Sequence, residues 1–168
     1  PDGDDMRSRP PLQADEEGAA HSRYFGQLNA GKRSLVLDLK HPEAITLVRR
    51  LVSEADVLLE NFRPGVMQRL GLGCETLRAL NPRLVYCSIS GYGQTGPAAE
   101  RAAYAMIVQA ASGYERTLAR YAGDRTRPAA TATFVADLLG GLYAFSAIQT
   151  ALLQRERTGV GQQLDVAR

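Results

Sequence analysis

Asp137 stands out as a candidate for chemistry because it is the one formally charged residue in a long apolar run, residues 134–153. An ionised carboxylate in such surroundings needs hydrogen-bond donors or a charge partner, or its pKa rises until it is neutral. If it stays ionised, it can act as a nucleophile. A simpler interpretation is that Asp137 caps the following helix, since Asp is a favoured N-cap residue. The two interpretations are compatible, because the positive end of a helix keeps a carboxylate ionised.

Gly140 and Gly141 follow Asp137 by one helical turn. In a helix interior each glycine costs about 1 kcal/mol relative to alanine. The pair therefore indicates that another group comes close to this part of the chain. A ligand or a tightly packed helix would each explain it.

Chemically unusual loops follow strand-like segments at residues 61–65 and 91–97. In a doubly wound sheet, ligands bind beyond the carboxyl ends of the strands. The first loop offers an amide, the aromatic ring of Phe62, the guanidinium of Arg63 and a Pro-Gly turn, which suits a ligand with phosphates and a purine. An ordinary strand-to-helix turn is the alternative. Arg69, on the next predicted helix, either joins Arg63 at an anionic ligand or stays solvated.

The second loop, Gly91 to Pro97, is rich in glycine. Its backbone amides could contact an anion, or the loop could cover a reactive centre. It does not end in the Lys-Ser/Thr pair of a phosphate-binding P-loop. By itself this loop does not identify a ligand.

Alternating strand and helix patterns from residue 31 onward predict an α/β fold with a parallel sheet and flanking helices. The predicted strands are 34–39, 56–60, 84–90 and 162–166, and the predicted helices start at Pro42, cover 66–70, 75–80 and 104–112, and run from about Asp137 to Arg157. The strand at 56–60 is expected to be buried on both faces. Residues 1–30 show no sustained period and are predicted to form an irregular arm. The polar residues 114–130 are predicted to be irregular as well.

The composition favours one domain without nucleic-acid, metal or membrane functions. The 168 residues are 45% hydrophobic and carry a net charge of +2, which is too small to indicate a nucleic-acid partner. Cys74 and Cys87 do not make a disulfide framework, and Cys87 is expected to be a core residue. His21 and His41 have no second ligand at metal-binding spacing. The first ten residues are polar and lack the basic and apolar pattern of a leader, and Asp137 and two glycines interrupt the longest apolar run, so we expect a cytoplasmic chain without a membrane span.

Several motifs, taken together and in register, resemble the family III coenzyme A transferases, the family that also contains the α-methylacyl-CoA racemases. These motifs are Asn29-Ala30-Gly31-Lys32-Arg33-Ser34, Leu37-Asp38-Leu39-Lys40, Glu60-Asn61-Phe62-Arg63-Pro64-Gly65, Gly91-Tyr92-Gly93-Gln94-Thr95-Gly96-Pro97 and Arg157-Thr158-Gly159-Val160-Gly161-Gln162. The resemblance extends from about Gly3 to Val166. It implies an incomplete, interior part of the large Rossmann-like domain, with the small domain absent.

The resemblance also implies a function, namely transfer of CoA from an acyl-CoA to a carboxylic acid by an intertwined homodimer. Asp137 corresponds to the nucleophile, which forms an acyl anhydride and then an aspartyl-CoA thioester. A water-poor pocket in the apolar run would protect that anhydride. The predicted CoA-binding residues are Leu37, Lys40, Asn61, Phe62, Arg63, Arg69, Gly91, Tyr92 and Gly93, and no metal is expected.

Tyr104 and Ala105 depart from the family pattern. Ala105 stands where members carry an acidic residue, and Tyr104 where racemases have histidine. Racemisation needs an acid and a base on opposite sides of the α-carbon, so transferase is preferred over racemase. A non-catalytic CoA-binding or assembly module is the alternative from another functional class. With no lysine near 102–103, phosphate binding is expected to depend on Lys40, Arg63 and Arg69.

Overall fold

The chain divides into a unit that ends at Leu37 and a unit that spans Asp38–Arg168. The computed structural model describes residues 3–123, 126 and 133–168. Each unit has its own secondary structure, and the candidate cleft lies in the second unit.

The first unit contains regular elements where an irregular arm was predicted. Strands β1 (Leu12–Ala14) and β2 (Ala20–Ser22) pair antiparallel, and helix α1 (Arg23–Asn29) follows. Ser22 caps α1, since its Oγ accepts a hydrogen bond of 3.1 Å from the Phe25 amide. The prediction of a wholly irregular arm was therefore wrong, because elements this short leave no periodic pattern to read.

The second unit alternates helices and strands as the sequence predicts. Its elements are α2 (Pro42–Glu54), β3 (Val57–Glu60), α3 (Val66–Arg69), α4 (Cys74–Leu80), β4 (Val85–Ser90), α5 (Ala105–Ala111), α6 (Tyr114–Tyr121), α7 (Val135–Thr158) and β5 (Gln163–Ala167). The strands pair in parallel in the order β3–β4–β5, with Cys87 opposite both Leu59 and Leu164. The α/β fold with a parallel sheet is thus confirmed.

Alternate residues of the central strand β4 build apolar clusters on opposite faces of the sheet. Tyr86 packs against residues from α2, α3 and α4, including Val52, Met67 and Leu77. Cys87 faces the other way and packs against Ala144 of α7. The sheet is therefore covered by α2, α3 and α4 on one face and by α7 on the other.

Some local predictions were wrong. Residues 34–39 form no strand: Leu35 is 59% and Val36 76% exposed, and no described strand lies beside them to complete a ladder. Strand β3 is not buried on both faces, since Leu59 is 54% exposed at the edge of the sheet. The segment predicted irregular at 114–130 begins with α6, whose Glu, Arg, Leu and Ala residues favour a helix. Residues 124, 125 and 127–130 of that segment lie outside the described residues.

Helix α7 is long and apolar enough to cross a membrane by length and composition alone, and 22% of its most apolar stretch is buried. One side of the helix packs on β4 and β5. The other side exposes large apolar residues, among them Leu142, Tyr143 and Phe145. The expectation that the chain has no membrane span stays a prediction.

Candidate functional site

The carboxyl ends of the parallel strands open into a cleft of about 260 Å³. Asn61 follows the last residue of β3, Gly91 follows β4, and Arg168 follows β5, and all three line the cleft. This is the edge at which open α/β sheets bind ligands. The cleft therefore occupies the position that the two predicted loops indicated.

The cleft is electropositive. Arg63, Arg101 and Arg168 line it, and none of the described residues in its lining is acidic. Phe62 adds an aromatic ring that is 43% exposed. Guanidinium groups bind phosphates and carboxylates through paired N–H donors, and an exposed ring can stack on a base. The arrangement suits a large anionic ligand that carries an aromatic group.

Glu60 shapes the loop that leads from β3 into the cleft. This residue is buried, and its Oε2 accepts a hydrogen bond of 2.9 Å from the Phe62 amide. Gly65 turns the chain into α3 with φ of +81°, a conformation that favours glycine. Arg69 lies against Gly65, where an added Cβ would be 3.0 Å from the Arg69 Nη1. Asn61, Phe62 and Arg63 thus meet in the cleft, whereas Arg69 does not line it.

The glycine-rich loop after β4 packs closely against the segment that leads into α5. A Cβ on Gly91 would lie only 1.7 Å from the Cβ of Ala103, so glycine is required there by space. The loop is also tied to β5, because the Gln94 amide donates to Asp165 Oδ2 at 2.8 Å. Gly91 lines the cleft, while Tyr92 and Gly93 lie farther along the loop and do not.

Asp137 lies in the first turn of α7, and its carboxylate Oδ1 accepts a hydrogen bond from Arg168 Nη1. The helix is capped by Phe134 and not by Asp137, so the capping interpretation was wrong. Arg168 is the charge partner that an acid in an apolar run requires. The side chain of Asp137 is 42% exposed and that of Arg168 17%. Arg168 lines the cleft, and Asp137 adjoins the cleft through this contact without lining it.

Gly140 explains how the pair can form. A Cβ on Gly140 would lie 3.2 Å from the Cβ of Arg168 and 3.6 Å from Ile89 Cγ2. The glycine therefore lets α7 approach β4 and the end of β5. Gly141, in contrast, has open space where its Cβ would be. The predicted close approach holds for Gly140.

A second cavity, of about 280 Å³, adjoins the other side of Arg168. It lies between α5 and α7, and Val135, Leu139 and Tyr143 contribute apolar walls. The described residues do not form the predicted water-poor pocket around Asp137, since Leu138, Leu139 and Leu142 are each more than 40% exposed. The reason is that only one side of α7 faces the sheet.

The remaining predicted CoA contacts lie near the boundary of the units. Leu37 is half-buried and is the last residue of the first unit. Lys40 is exposed just before α2, and its backbone amide donates to Asp38 Oδ1 at 3.0 Å. Neither residue lines the cleft at the ends of the strands.

Cys87 and His21 have structural roles in the described residues. Cys87 is fully buried, and burial, together with the negative charges of Glu60 and Asp165, raises the pKa of its thiol to about 11. It is a core residue, as predicted, and stays protonated near neutral pH. His21 Nε2 lies 2.6 Å from Asp15 Oδ2, and this hydrogen bond is the main cause that lowers the pKa of Asp15. Among the described residues, no group of three or more His, Cys, Asp or Glu could hold a metal ion.

Sequence reasoning missed Glu60, Arg101 and Arg168. Arg168 carried a usable signal, because it follows directly after a predicted parallel strand at the edge where ligands bind. No lysine stands near residues 102–103 in the sequence. Arg101 lines the cleft next to that position and supplies a cation there. The role of Glu60 depends on a hydrogen bond that the sequence does not reveal.

The family profile of CoA-transferase family III matches residues 1–168. The chain belongs to CoA-transferase family III. It is 47% identical over 98% of its length to a succinate–glutarate CoA-transferase of Agrobacterium fabrum, and 44% identical over 86% of its length to the human α-methylacyl-CoA racemase. It spans 41% and 37% of the lengths of these relatives.

The fold has a close counterpart among solved structures. A CAIB/BAIF family protein from Brucella suis superposes with a TM-score of 0.86 at 46% identity, covering 99% of this chain and 43% of that protein. The expected family and the α/β fold are therefore confirmed, and so is the general relation to CoA transferases.

Proposed function

We propose that the protein containing this chain transfers CoA from an acyl-CoA to a carboxylic acid, with Asp137 as the nucleophile. The observation that carries the proposal is the contact between the Asp137 carboxylate and Arg168, which lines the electropositive cleft. Phosphates and a purine ring match the cleft's arginines and Phe62. Asn61, Phe62, Arg63 and Gly91 are the proposed CoA contacts in the cleft, with Leu37, Lys40, Arg69, Tyr92 and Gly93 as outlying ones.

Oδ2 of Asp137 is available for attack, since no described group donates a hydrogen bond to it. In the proposed reaction, Oδ2 attacks the thioester carbonyl and expels the CoA thiolate, leaving an acyl-aspartyl anhydride. The thiolate attacks the aspartyl carbonyl, which gives an aspartyl-CoA thioester and releases the donor acid. The acceptor carboxylate attacks this thioester and expels the thiolate, which leaves an anhydride between the acceptor and Asp137. The thiolate then attacks the acceptor's acyl carbon, forming the product thioester and releasing Asp137 as a carboxylate.

The cavity beside Arg168 is the proposed binding site for the acyl chain, because its walls from α5 and α7 are largely apolar. The acceptor class is suggested by the Agrobacterium relative, whose name specifies succinate and glutarate. We propose a dicarboxylic acid of this size, since the cleft offers several guanidinium groups and a second carboxylate could bind one of them.

The test is to trap the acylated aspartate. The full-length protein is incubated with succinyl-CoA and hydroxylamine, digested, and analysed by mass spectrometry. A hydroxamate on Asp137 is expected, and Asp137→Asn should show neither the hydroxamate nor turnover, while Asp56→Asn, far along the sheet, serves as the matched control. An unmodified Asp137 during measurable turnover contradicts the mechanism.

The alternatives have their own support. Ala105 is buried at the start of α5 and supplies no carboxylate, which favours a non-catalytic CoA-binding module. Complete inactivity of the full-length protein with succinyl-CoA and a panel of acids, but with CoA binding retained, would establish that module. The human racemase relative supports the third option, which predicts deuterium exchange at the α-carbon of a 2-methylacyl-CoA.

We also propose a homodimer for the full-length protein. The exposed apolar face of α7, with Leu142, Tyr143 and Phe145, is the support for an interface, because such faces are normally covered. Light scattering after size-exclusion chromatography measures the mass directly. A monomer at micromolar concentration would contradict this part of the proposal.

A further inference from the structure

Arg168 is held at a fixed position between three elements. Its backbone amide donates to the Ser90 carbonyl at 3.1 Å, which extends the pairing of β5 with β4. Its Nη2 donates to the Ala103 carbonyl at 2.8 Å, and its Nη1 to Asp137 Oδ1. The side chain is 17% exposed, and its stem lies against Gly140 of α7.

We propose that Arg168 is a catalytic residue that stabilises negative charge on Oδ1 of Asp137 during acyl transfer. The proposal rests on the proposed function, in which Oδ2 forms the bond to the acyl group. Oδ1 then remains the carbonyl oxygen of the aspartyl anhydride and of the aspartyl thioester. The guanidinium that contacts Oδ1 in the free protein therefore already contacts the oxygen on which charge later develops.

Negative charge develops on Oδ1 in each step that takes place at the aspartyl carbonyl. When the CoA thiolate attacks the aspartyl carbonyl, a C–S bond forms and the π electrons move to Oδ1, which becomes an oxyanion beside the Nη1 donor. The intermediate collapses when the bond to Oδ2 breaks and the donor acid leaves as a carboxylate. Attack by the acceptor carboxylate on the thioester places an oxyanion on the same atom. A preorganised donor at a developing oxyanion is worth about 10²–10³ in rate.

The second bond of the guanidinium determines its orientation. Because Nη2 is tied to the Ala103 carbonyl, Nη1 points at α7 without help from a ligand. Lysine at this position would keep the charge, but it lacks the two Nη groups that donate to Asp137 Oδ1 and to the Ala103 carbonyl oxygen. Arg101 lines the same cleft, but the described hydrogen bond and ion pair of Asp137 are with Arg168, so Arg101 should act in ligand binding only.

The test compares Arg168→Met, Arg168→Lys, Arg168→Ala and Arg101→Met in the full-length protein by steady-state kinetics. For Arg168→Met we expect kcat to fall about 10²–10³-fold with KM nearly unchanged, and for Arg168→Lys a smaller loss. For Arg101→Met we expect the reverse, a raised KM for acyl-CoA. Added ethylguanidinium should partly restore kcat in Arg168→Ala, which a merely structural role would not allow. An unchanged kcat in Arg168→Met overturns the proposal.

A measurement without substitution covers the case in which the variants do not fold. In the aspartyl thioester of the wild-type protein, labelled with ¹³C at aspartate, a hydrogen bond to Oδ1 should lower the carbonyl stretching frequency relative to a model thioester in water-free solvent. An unshifted band overturns the role of Arg168 and leaves Asp137 as the nucleophile. Absence of any aspartyl adduct would instead overturn the proposed function.

Discussion

The strands of the β3–β4–β5 sheet all begin at one side of the sheet, the amino edge, and end at the other, the carboxyl edge. An arginine links α7 to the sheet at each of these edges, but the surroundings of the two arginines differ. At the amino edge, Arg155 of α7 donates to the backbone carbonyls of Asp56 and Arg83, each at 3.3 Å, and to Asp56 Oδ1 at 2.9 Å. At the carboxyl edge, Arg168 donates to the Ala103 carbonyl and to Asp137. Each arginine thus joins one end of α7 to the sheet through a carboxylate and the main chain.

The difference lies in what surrounds each pair. Asp56 is 76% exposed and its arginine is 8% exposed, so the amino-edge pair ties α7 to the starts of two strands. Neither residue lines the cleft or the second cavity. Arg168 lines both the cleft and the second cavity, whereas Asp137 lines neither and adjoins them through its contact with Arg168. A glycine in tight contact is present at each edge as well, Gly161 at one and Gly91 at the other. We infer that the amino edge serves stability and that the carboxyl edge serves the ligand.

Gly161→Ala should have the largest effect on stability. An added Cβ would lie 2.0 Å from the Leu84 carbonyl oxygen, and this backbone cannot move without breaking the start of β4. We expect the free energy of unfolding to fall by about 3 kcal/mol or more. Urea unfolding of the full-length protein, followed by circular dichroism, measures it.

Gly141→Ala is the matched control, because its Cβ would enter open space within α7. Helix propensity predicts that it is neutral or stabilises by up to about 1 kcal/mol. Equal destabilisation by both substitutions would contradict the packing described at the amino edge.

Arg155→Met should cause the next largest loss of stability. Methionine keeps the apolar stem but removes the hydrogen bonds to Asp56 and Arg83. Two backbone carbonyls lose donors, and a loss of about 2 kcal/mol is expected. Arg157→Met, at an exposed position of the same helix, should change stability by less than about 0.5 kcal/mol. If the two substitutions cost the same, Arg155 does not fasten α7 to the sheet.

Much of the second unit was readable from the sequence because its elements are periodic and their ends carry clear signals. The Pro42 start of α2, the apolar strands 57–60 and 85–90 and the Gly159 end of α7 are local features. The prediction that the cleft lies at the carboxyl ends of the strands followed from the predicted parallel sheet.

What could not be read depends on contacts between distant residues. Residues 34–39 have the composition of a strand, but a strand also needs a neighbour, which the pattern does not supply. The contacts of Gly91 with Ala103 and of Asp137 with Arg168 join residues that are far apart in the chain. For the same reason the sequence indicated that Asp137 needs a partner but did not identify Arg168.

Gly91→Ala tests the close packing at the carboxyl edge, as Gly161→Ala tests it at the amino edge. The new methyl group would overlap the Cβ of Ala103, whose carbonyl holds Arg168, so the wall of the cleft must shift. We expect a loss of about 1–2 kcal/mol in stability and roughly a tenfold weaker CoA binding by calorimetry. The double variant with Ala103→Gly removes the overlapping atom and should recover both properties. Failure of that rescue would indicate that Gly91 is needed for another reason, such as contact with the ligand.

The smallest effect on stability should come from replacing the two carboxylates, and here the edges differ most in function. Asp56→Asn keeps the shape of an exposed side chain and loses a partly solvated ion pair, so we expect a change below about 1 kcal/mol. Asp137→Asn removes a pair of the same kind and should be similarly mild in urea unfolding. Turnover should separate them completely, because only Asp137 adjoins the cleft through Arg168. If Asp56→Asn lowers kcat as much as Asp137→Asn does, the assignment of stability to one edge and chemistry to the other is wrong.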